Sequence, residues 1–343
     1  MHLDDRVSDD FDATDYFQTM DVLVKYGGGH IISRFFSSLF QLGVFDHLED
    51  GPKHYHEIAK LTNSNSESIY RLMRFFVPQG LFVEEKPGIF SKTKQSSLFT
   101  KNGIMANYMG MFVSDSHYQL LKTFPETIVK GEGQAPKAMG VASFWDCFKD
   151  HAFEQSFTKC MLGFTKTASP NILKHIDFSN YKTIVDIGGS HGDFIKEVLK
   201  LYPTIKHGIN FDKKEVIEKL KQNQQGENQK LQLVSGNFLE SVPRGDCMIL
   251  KHILHDWSDE DSKTILNNVA DSLEDGGHLY IFDFVIDPKN YNQHTLMYDL
   301  LMLHLFTAKE RTKEQWLQLV QDRFTFVKFI HEISIGCIVL KKK

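Results

Sequence analysis

The 343-residue sequence has few cysteines, little net charge and no long apolar run. None of its four cysteines (Cys147, Cys160, Cys247 and Cys337) belongs to a C-x-x-C pair, and their neighbours are apolar. This pattern excludes a disulfide framework and a zinc site, and it predicts buried thiols in a reducing compartment. We predict no other metal site.

No apolar stretch approaches the roughly 20 residues that span a bilayer. The acidic N-terminus also lacks the basic and apolar regions of a signal peptide. The formal net charge of −5 gives no electrostatic argument for a nucleic acid or an anionic membrane as a partner. We therefore expect a cytoplasmic protein, and its length predicts two or three domains.

The first half of the sequence has helical periodicity from Tyr16 to Leu48, which Gly27–Gly29 interrupts. Residues 56–99 then read as a helix, a turn, a second helix and two short strands joined at Lys86–Gly88, an order that resembles a winged helix. Ser64 or Ser66 is the expected N-cap of the second helix. Residues 104 to about 164 are helical again, with a loop near Gly131–Gly133.

The second half alternates strands with helices, which predicts a mostly parallel sheet covered by helices on both faces. The expected strands are 183–189, 205–211, 231–235, 247–254 and 278–284. Two further strands near the C-terminus have little between them and predict an antiparallel edge. The resulting domains are 1–103, 104–168 and 169–343.

Polar residues lie at the carboxyl ends of all five strands, where open α/β sheets bind their ligands. They are Asp186 with Gly188 and Gly189, then Asp212, Asn237, His255 and Asp283. The glycines allow the backbone to approach a ligand closely, and an acid at Asp212 can accept hydrogen bonds from ribose hydroxyls. Because the turn departs from G-x-G-x-x-G, it favours a nucleoside ligand without pyrophosphate.

His255 is the candidate general base. Ser258–Asp261 is a capping-box pattern, so a helix begins just after Trp257 and leaves His255 and Asp256 at the end of the fourth strand. Asp283 and Glu310 are acids that can hold one ring nitrogen and raise the basicity of the other. The alternative is a structural, hydrogen-bonded imidazole.

The segments VDIGGSHG, LKHILHDWSDEDSKTILNNVADSLEDGGHLYIFD and KERTKEQW resemble the plant caffeate and acetylserotonin-type O-methyltransferases and their bacterial relatives. The resemblance extends from about Phe17 to the C-terminus. It implies a Rossmann-like methyltransferase domain, preceded by a helical, winged-helix-like dimerisation domain, and S-adenosylmethionine as cofactor. The Phe and Met content near the cleft predicts a small, flat, aromatic acceptor such as a phenol. The long, Phe-rich amphipathic helices at the N-terminus are more than one small domain needs for its core, so we predict an intertwined homodimer whose N-terminal part reaches the other subunit's cleft.

The resemblance also assigns roles to individual residues. His255 matches the catalytic base, flanked by Asp283 and Glu310. The positions implied near the cofactor are Asp186, Gly188, Gly189, Asp212, Asn237, Phe238, Lys251, Trp257 and Thr165. Those implied near the acceptor are Phe153, Phe157, Met161, Asp256 and Met302, for which helix packing is the alternative interpretation.

The sequence departs from the family pattern at four places. Ser190 replaces a glycine of the turn, Lys213-Lys214 replaces Leu-Pro, Asn237 replaces an acid near adenine, and Asp283 replaces a glutamate. The shorter Asp283 makes its hydrogen bond to His255 the doubtful contact. Nitrogen as the methylated atom, a rearrangement instead of methylation and a DNA-binding winged helix are the alternatives that remain open.

Overall fold

A computed structural model describes residues 13–223, 229–331 and 335–343. The chain divides after Ser114 into two compact units. The predicted boundaries at 103/104 and 168/169 remain predictions, and the second lies inside a helix, His151–His175, which accommodates Pro170. Within the described ranges, no helix is both long and apolar enough to cross a membrane.

The first unit has the order of elements that the sequence predicts. Its helices are α1 (Ala13–Val22), α2 (Gly29–Gln41), α3 (Val44–His47), α4 (Tyr55–Leu61), α5 (Ser66–Phe75) and α6 (Ala106–Phe112). Its strands are β1 (Lys53–His54), β2 (Phe82–Lys86) and β3 (Ile89–Lys92), which form an antiparallel sheet in the order β1-β3-β2. The helix pair α4–α5 followed by β2 and β3 is a winged-helix arrangement.

Local sequence explains where the helices of the first unit begin. Gly28 is the N-cap of α2, as expected of a glycine run that separates two helices. The predicted N-cap of α5 at Ser64 or Ser66 is wrong. The cap is Asn65, whose side-chain oxygen accepts from the backbone N–H of Ser68 at 3.0 Å.

The second unit alternates helices with strands. Its helices are α7 (Asp115–Leu120), α8 (Phe124–Lys130), α9 (Ala135–Ala138), α10 (His151–His175), α11 (Asp193–Leu201), α12 (Lys214–Asn223), α13 (Asp259–Ser272), α14 (Gln293–Phe306) and α15 (Lys313–Val320). Its strands are β4 (Thr183–Ile187), β5 (His207–Asp212), β6 (Leu231–Ser235), β7 (Gly245–Lys251), β8 (Leu273–Phe282), β9 (Val285–Ile286), β10 (Arg311–Thr312), β11 (Phe324–Ile330) and β12 (Cys337–Lys342).

The main sheet has seven strands in the order β11-β12-β8-β7-β4-β5-β6. The neighbours from β8 to β6 are parallel, whereas β12 runs antiparallel to both β8 and β11. The predicted mostly parallel sheet with an antiparallel edge is therefore confirmed. Strand order reverses between β4 and β7, which is where such sheets bind ligands.

Both faces of this sheet are buried because the side chains of its strands alternate between two apolar layers. Along β7, Met248 and Leu250 pack into one layer, while Cys247 and Ile249 pack into the other. A strand covered on both faces needs a nearly continuous apolar run, as β4 and β7 have. All four cysteines are buried and unpaired, as predicted.

The strand predicted at 247–254 ends earlier, at Lys251. His252 has φ +55°, which turns the backbone away from the sheet, and a 3₁₀ turn (Leu254–Asp256) follows. Ile253 and Leu254 have the apolar character of a strand, but Leu254 is buried in the core beside the sheet. His255 therefore lies on a turn beyond the strand and not at its last residue. Likewise, Asp283 follows the end of β8 and is not part of it.

Candidate active site

Strand pairing brings the predicted site residues to one edge of the sheet. Ile187 at the end of β4 pairs with Phe211 and Leu250, Asp212 pairs with Ser235, and Lys251 pairs with Phe282. The residues that follow these positions therefore emerge side by side at the carboxyl edge. A separate two-stranded pairing, Arg311 with Val285, adds Glu310 to the same edge next to Asp283.

The glycine turn after β4 leaves no room for side chains. Gly188 has φ +71°, and a Cβ atom there would lie 2.4 Å from Ile253 Cδ1. A Cβ atom on Gly189 would lie 2.2 Å from Asn210 Oδ1 and 2.8 Å from the Asp186 carboxylate. Such spacing is far below van der Waals contact, so both glycines are required by the packing of the turn.

Asp212 ends β5 and holds the glycine turn in place. Its Oδ2 atom accepts from the Ser190 backbone N–H at 2.8 Å, and its Oδ1 atom accepts from the Lys213 N–H at 2.7 Å. Burial raises the pKa of Asp212, although these two backbone donors oppose the shift. Ser190 has φ +50°, so it occupies the left-handed conformation in which a glycine would be less strained.

Asp186 and Lys251 influence each other electrostatically near the glycine turn. Burial raises the pKa of Asp186 to about 6, partly offset by Lys251, and burial lowers the pKa of Lys251, partly offset by Asp186. Lys251 donates to Thr165 Oγ1 on α10 at 3.0 Å. Among the described residues, Asp186 Oδ2 has no hydrogen-bond partner, so a polar atom remains available at the base of the turn.

The loop after β6 carries Asn237 and Phe238. Asn237 is exposed; its amide donates to Glu240 at 3.0 Å, and its side-chain oxygen accepts from Leu239 N–H at 3.0 Å. Phe238 packs edge-on against Trp257, with ring centroids 5.4 Å apart. The loop and the turn after His255 therefore meet in an aromatic contact.

His255 is buried and makes one strong hydrogen bond. Its Nδ1 atom lies 2.7 Å from Glu310 Oε1, whereas its Nε2 atom lies 3.5 Å from Asp256 Oδ1. Burial lowers the pKa of His255, but the charges of Glu310, Asp283 and Asp256 outweigh burial and raise it to about 10. Burial raises the pKa of Asp256 to about 7, against the opposing charge of His255.

Asp283 is completely buried, but it is not hydrogen-bonded to His255. The distance from Asp283 Oδ1 to His255 Nδ1 is 3.8 Å, and neither carboxylate oxygen has a hydrogen-bond partner among the described residues. Burial raises its pKa to about 8 in spite of the charge of His255. An aspartate at this position is close enough to influence the imidazole electrostatically, but too short to bond with it.

The tertiary structure adds Arg311, which sequence analysis did not single out. This buried guanidinium donates to the backbone carbonyls of Leu254 at 2.8 Å and Trp257 at 3.0 Å, on both sides of His255. It also donates to Asp259 at 2.9 Å. Arg311 therefore fixes the turn that carries the histidine, while its neighbour Glu310 orients the ring. In the sequence, the only sign of these two roles was that Glu310 and Arg311 are adjacent.

The structure also brings His252 next to His255, with ring centroids 5.3 Å apart. Burial lowers the pKa of His252 well below its usual value, and the charges of Lys251 and His255 add to this effect. The H-x-x-H spacing was its only signal in the sequence. Because Asp283 comes from a different strand, its proximity to both histidines could not be read from that spacing.

Four of the residues implied near the acceptor lie on α10 and α14, whereas Asp256 lies on the turn that carries His255. Phe153 and Met302 are buried in one apolar cluster, and Phe157 is partly buried against it. Phe144 contacts both phenylalanines, with ring centroids 5.8 and 5.6 Å away. Met161 is half-buried on α10. Packing alone accounts for the burial of Phe153 and Met302, whereas Phe157 and Met161 retain exposed surface.

Two family models match the chain. An O-methyltransferase domain matches residues 121–324, and an O-methyltransferase dimerisation domain matches residues 24–102. O-methyltransferase 12 of Dictyostelium discoideum is 44% identical over 90% of this chain and 85% of that protein. Flavonoid 4′-O-methyltransferase 4 of Mentha piperita is 27% identical over 88% of this chain and 90% of that protein.

The fold is also that of solved methyltransferase structures. Human N-acetylserotonin methyltransferase, solved in complex with SAM, superposes with a TM-score of 0.83 at 24% identity and covers 95% of this chain and 99% of its own. Together with the matches to the two family models and to the Dictyostelium relative, this agrees with the resemblance seen in the sequence. The chain belongs to the S-adenosylmethionine-dependent O-methyltransferases of the caffeate and acetylserotonin type.

Proposed function

We propose that this protein methylates an oxygen of a small phenolic acceptor and that His255 removes the acceptor's proton. The observation that carries the proposal is the 2.7 Å hydrogen bond between His255 Nδ1 and Glu310 Oε1. A carboxylate that holds Nδ1–H leaves Nε2 as the proton acceptor and stabilises the imidazolium that forms.

The carboxyl edge of β4 and β5 fits the cofactor. Gly188 and Gly189 let the turn pack closely against Ile253, Asn210 and Asp186, and Asp186 Oδ2 is a buried acceptor without a partner among the described residues. Asp212 is the residue that we assign to the ribose, with Phe238 and Trp257 beside the adenine. When bound, S-adenosylmethionine supplies an electrophilic methyl group on a sulfonium.

The chain's own residues must then orient the acceptor and take its proton. A phenol has a pKa of roughly 10, so it is mostly protonated at neutral pH. Because the pKa of His255 is raised to about 10, the ring is also mostly protonated at neutral pH, and only its neutral fraction can take the phenol's proton. Orientation of the two reactants contributes on the order of 7–11 kcal/mol in the best cases.

An aromatic acceptor is favoured by the side chains that α10 presents. Phe157 and Met161 are partly exposed, and both are apolar. An apolar wall of this kind suits a flat ring whose polar atom is the reacting one. The Mentha relative, which is named for a flavonoid acceptor, is consistent with this proposal.

The function is tested with deuterated-methyl cofactor and three matched acceptors: a phenol, the corresponding aniline and the ring without either group. We expect the mass of the phenol alone to increase by one labelled methyl group. Methylation of the aniline alone would make nitrogen the nucleophile. A cofactor that binds but transfers no methyl group to the phenols, the anilines or a cell extract would exclude methyl transfer.

We further propose a homodimer formed through the N-terminal unit. The dimerisation-domain match covers residues 24–102, and the segment from Tyr16 to Phe35, which begins before that match, exposes large apolar side chains that a second copy would cover. These side chains are Tyr16, Phe17, Val22, Leu23, Val24, Tyr26, Ile31 and Phe35. Light scattering should give twice the chain mass of 39.5 kDa, and a monomer would contradict the proposal.

A further inference from the structure

Three buried groups beside the proposed base are arranged as metal ligands. Within the part of the chain that the structure describes, His252, His255 and Asp283 each offer one ligand atom, and these atoms all lie within 4.8 Å of one another. Asp283 Oδ1 lies between the two rings, 3.9 Å from His252 Nδ1 and 3.8 Å from His255 Nδ1. Glu310 Oε1, 2.7 Å from His255 Nδ1, adds a fourth possible ligand.

The buried polar atoms of this cluster lack partners. Among the described residues, both oxygens of Asp283, Oε2 of Glu310 and Nε2 of His252 make no hydrogen bond. Asp283 and Glu310 are almost completely buried. Buried carboxylates without partners are costly unless a proton or a cation compensates their charge. Either a bound proton or a bound cation would compensate the charge of these carboxylates, so the cluster can accept a cation.

We propose that His252, His255, Asp283 and Glu310 form an inhibitory site for a divalent transition-metal ion such as Zn²⁺. Two imidazoles and two carboxylates are a ligand set that zinc accepts, with bonds of roughly 2.0–2.2 Å. Tetrahedral coordination at that length separates ligand atoms by about 3.3 Å. The separations of 3.8 and 3.9 Å between Asp283 and the two histidines must close by about half an ångström, and the 2.7 Å separation between Glu310 Oε1 and His255 Nδ1 must open by about as much.

Metal binding at this site would prevent His255 from acting as a base. An ion on Nδ1 of His255 replaces the proton that this nitrogen now donates to Glu310. The neutral ring must then carry its proton on Nε2. Nε2 then donates a hydrogen bond and cannot accept the acceptor's proton. The inhibition rests on the proposed role of His255, whereas ion binding does not.

Binding is measured first, on the full-length protein without cofactor or acceptor. Co²⁺ is the probe, because tetrahedral Co²⁺ gives strong visible d–d bands without needing turnover. We expect these bands to appear, to disappear when Zn²⁺ displaces the ion, and to persist with Mg²⁺, which prefers oxygen ligands. Absence of the bands in the wild-type protein would overturn the proposal.

His252→Phe removes one ligand and keeps an aromatic ring against its neighbour Phe284. We expect Co²⁺ affinity to fall at least about tenfold, since even outer-shell changes cost 10- to 100-fold. His207→Phe, an exposed histidine at the start of β5, is the matched control and should bind as the wild type does. Should His252→Phe fail to fold, Asp283→Asn tests the same site. Unchanged affinity in a folded variant of either kind would place the ion elsewhere and overturn the proposal.

Methyl transfer is measured separately. Zn²⁺ should lower turnover of the wild type in proportion to occupancy, and a chelator should restore it. An ion that binds at the cluster without lowering turnover would leave the metal site intact but contradict the assignment of His255 as the base. The two failures are therefore distinguishable.

Discussion

The proposed cofactor edge (Asp186, Gly188, Gly189 and Asp212) and the proposed catalytic cluster (His255, Asp283 and Glu310) lie at the carboxyl edge of the same sheet. Their buried carboxylates are stabilised in different ways. At the cofactor edge, Asp212 accepts two backbone N–H groups, and the glycine turn closes over it. At the catalytic cluster, Asp283 accepts no hydrogen bond from a described residue, and Glu310 accepts one from His255. In the first region backbone N–H groups satisfy the buried acid. In the second region, buried carboxylate oxygens without such donors surround one imidazole.

This difference explains how pKa values are distributed between the two regions. Backbone donors oppose the effect of burial at Asp212, so the acid is held as a hydrogen-bond acceptor. Around His255, burial raises the pKa of Asp256 and Asp283, and the charges of the neighbouring acids raise the pKa of the imidazole. A site that transfers a proton needs groups whose pKa values are close to each other, whereas a site that only binds a ligand does not.

The largest effect is expected from removing the imidazole. His255→Ala should lower turnover by about 10²–10⁴-fold, the usual contribution of a general base. The affinity for S-adenosylmethionine should stay unchanged in calorimetry, because the cofactor edge does not depend on this ring. His207→Ala is the control. Wild-type turnover in His255→Ala would show that another group removes the proton.

The next effect separates the two acids. Glu310→Gln should cost about 1.5–3 kcal/mol of transition-state stabilisation, roughly 10- to 150-fold in kcat/KM, because it loses a charge-assisted hydrogen bond. Asp283→Asn should cost less than about tenfold, because its oxygen lies 3.8 Å from the ring. A larger loss for Asp283→Asn than for Glu310→Gln would reverse the assignment of the partner acid.

The pH dependence of kcat/KM is a further test of how Glu310 acts on His255. His255 must be neutral to act as a base, so kcat/KM should rise with pH towards its pKa of about 10. Glu310→Gln removes a charge that raises this pKa and should shift the rising limb to lower pH.

The His255 ion pairs contribute to folding stability below the unfolded pKa of about 6.5, and this contribution is lost as pH rises through about 10.

The smallest effect on the chemical step is expected at the cofactor edge. Gly189→Ala forces a Cβ atom against Asn210 and Asp186, which should lower folding stability by about 1–3 kcal/mol, the usual cost of overpacking, and weaken cofactor binding by displacing the turn. Gly110→Ala, where a Cβ atom meets nothing within 4 Å, is the matched control. The pH profile of the residual activity should not change. A changed profile with intact cofactor affinity would mean that the two regions are not independent.

Much of the cofactor edge could be predicted because its signals are local. Gly188, Gly189 and Asp212 follow predicted strands at short spacing, and their conformations depend on neighbours in the chain. The N-cap at Ser258 was identified for the same reason. The predicted end of β7 was wrong, because apolar Ile253 and Leu254 look like strand residues although they pack on a turn.

By itself, the sequence determined the alternating architecture and the glycine turn and pointed to His255 as the candidate base, since these inferences depend on periodicity and short-range spacing. Only the tertiary structure decided what surrounds that base. Arg311 locks the turn through backbone carbonyls more than fifty residues earlier in the chain, and pairing of β9 with β10 sets Glu310 beside Asp283. Hydrogen bonds across such distances depend on ångström-scale packing, which spacing along the chain does not encode. The 3.8 Å gap at Asp283 is therefore a property of the fold.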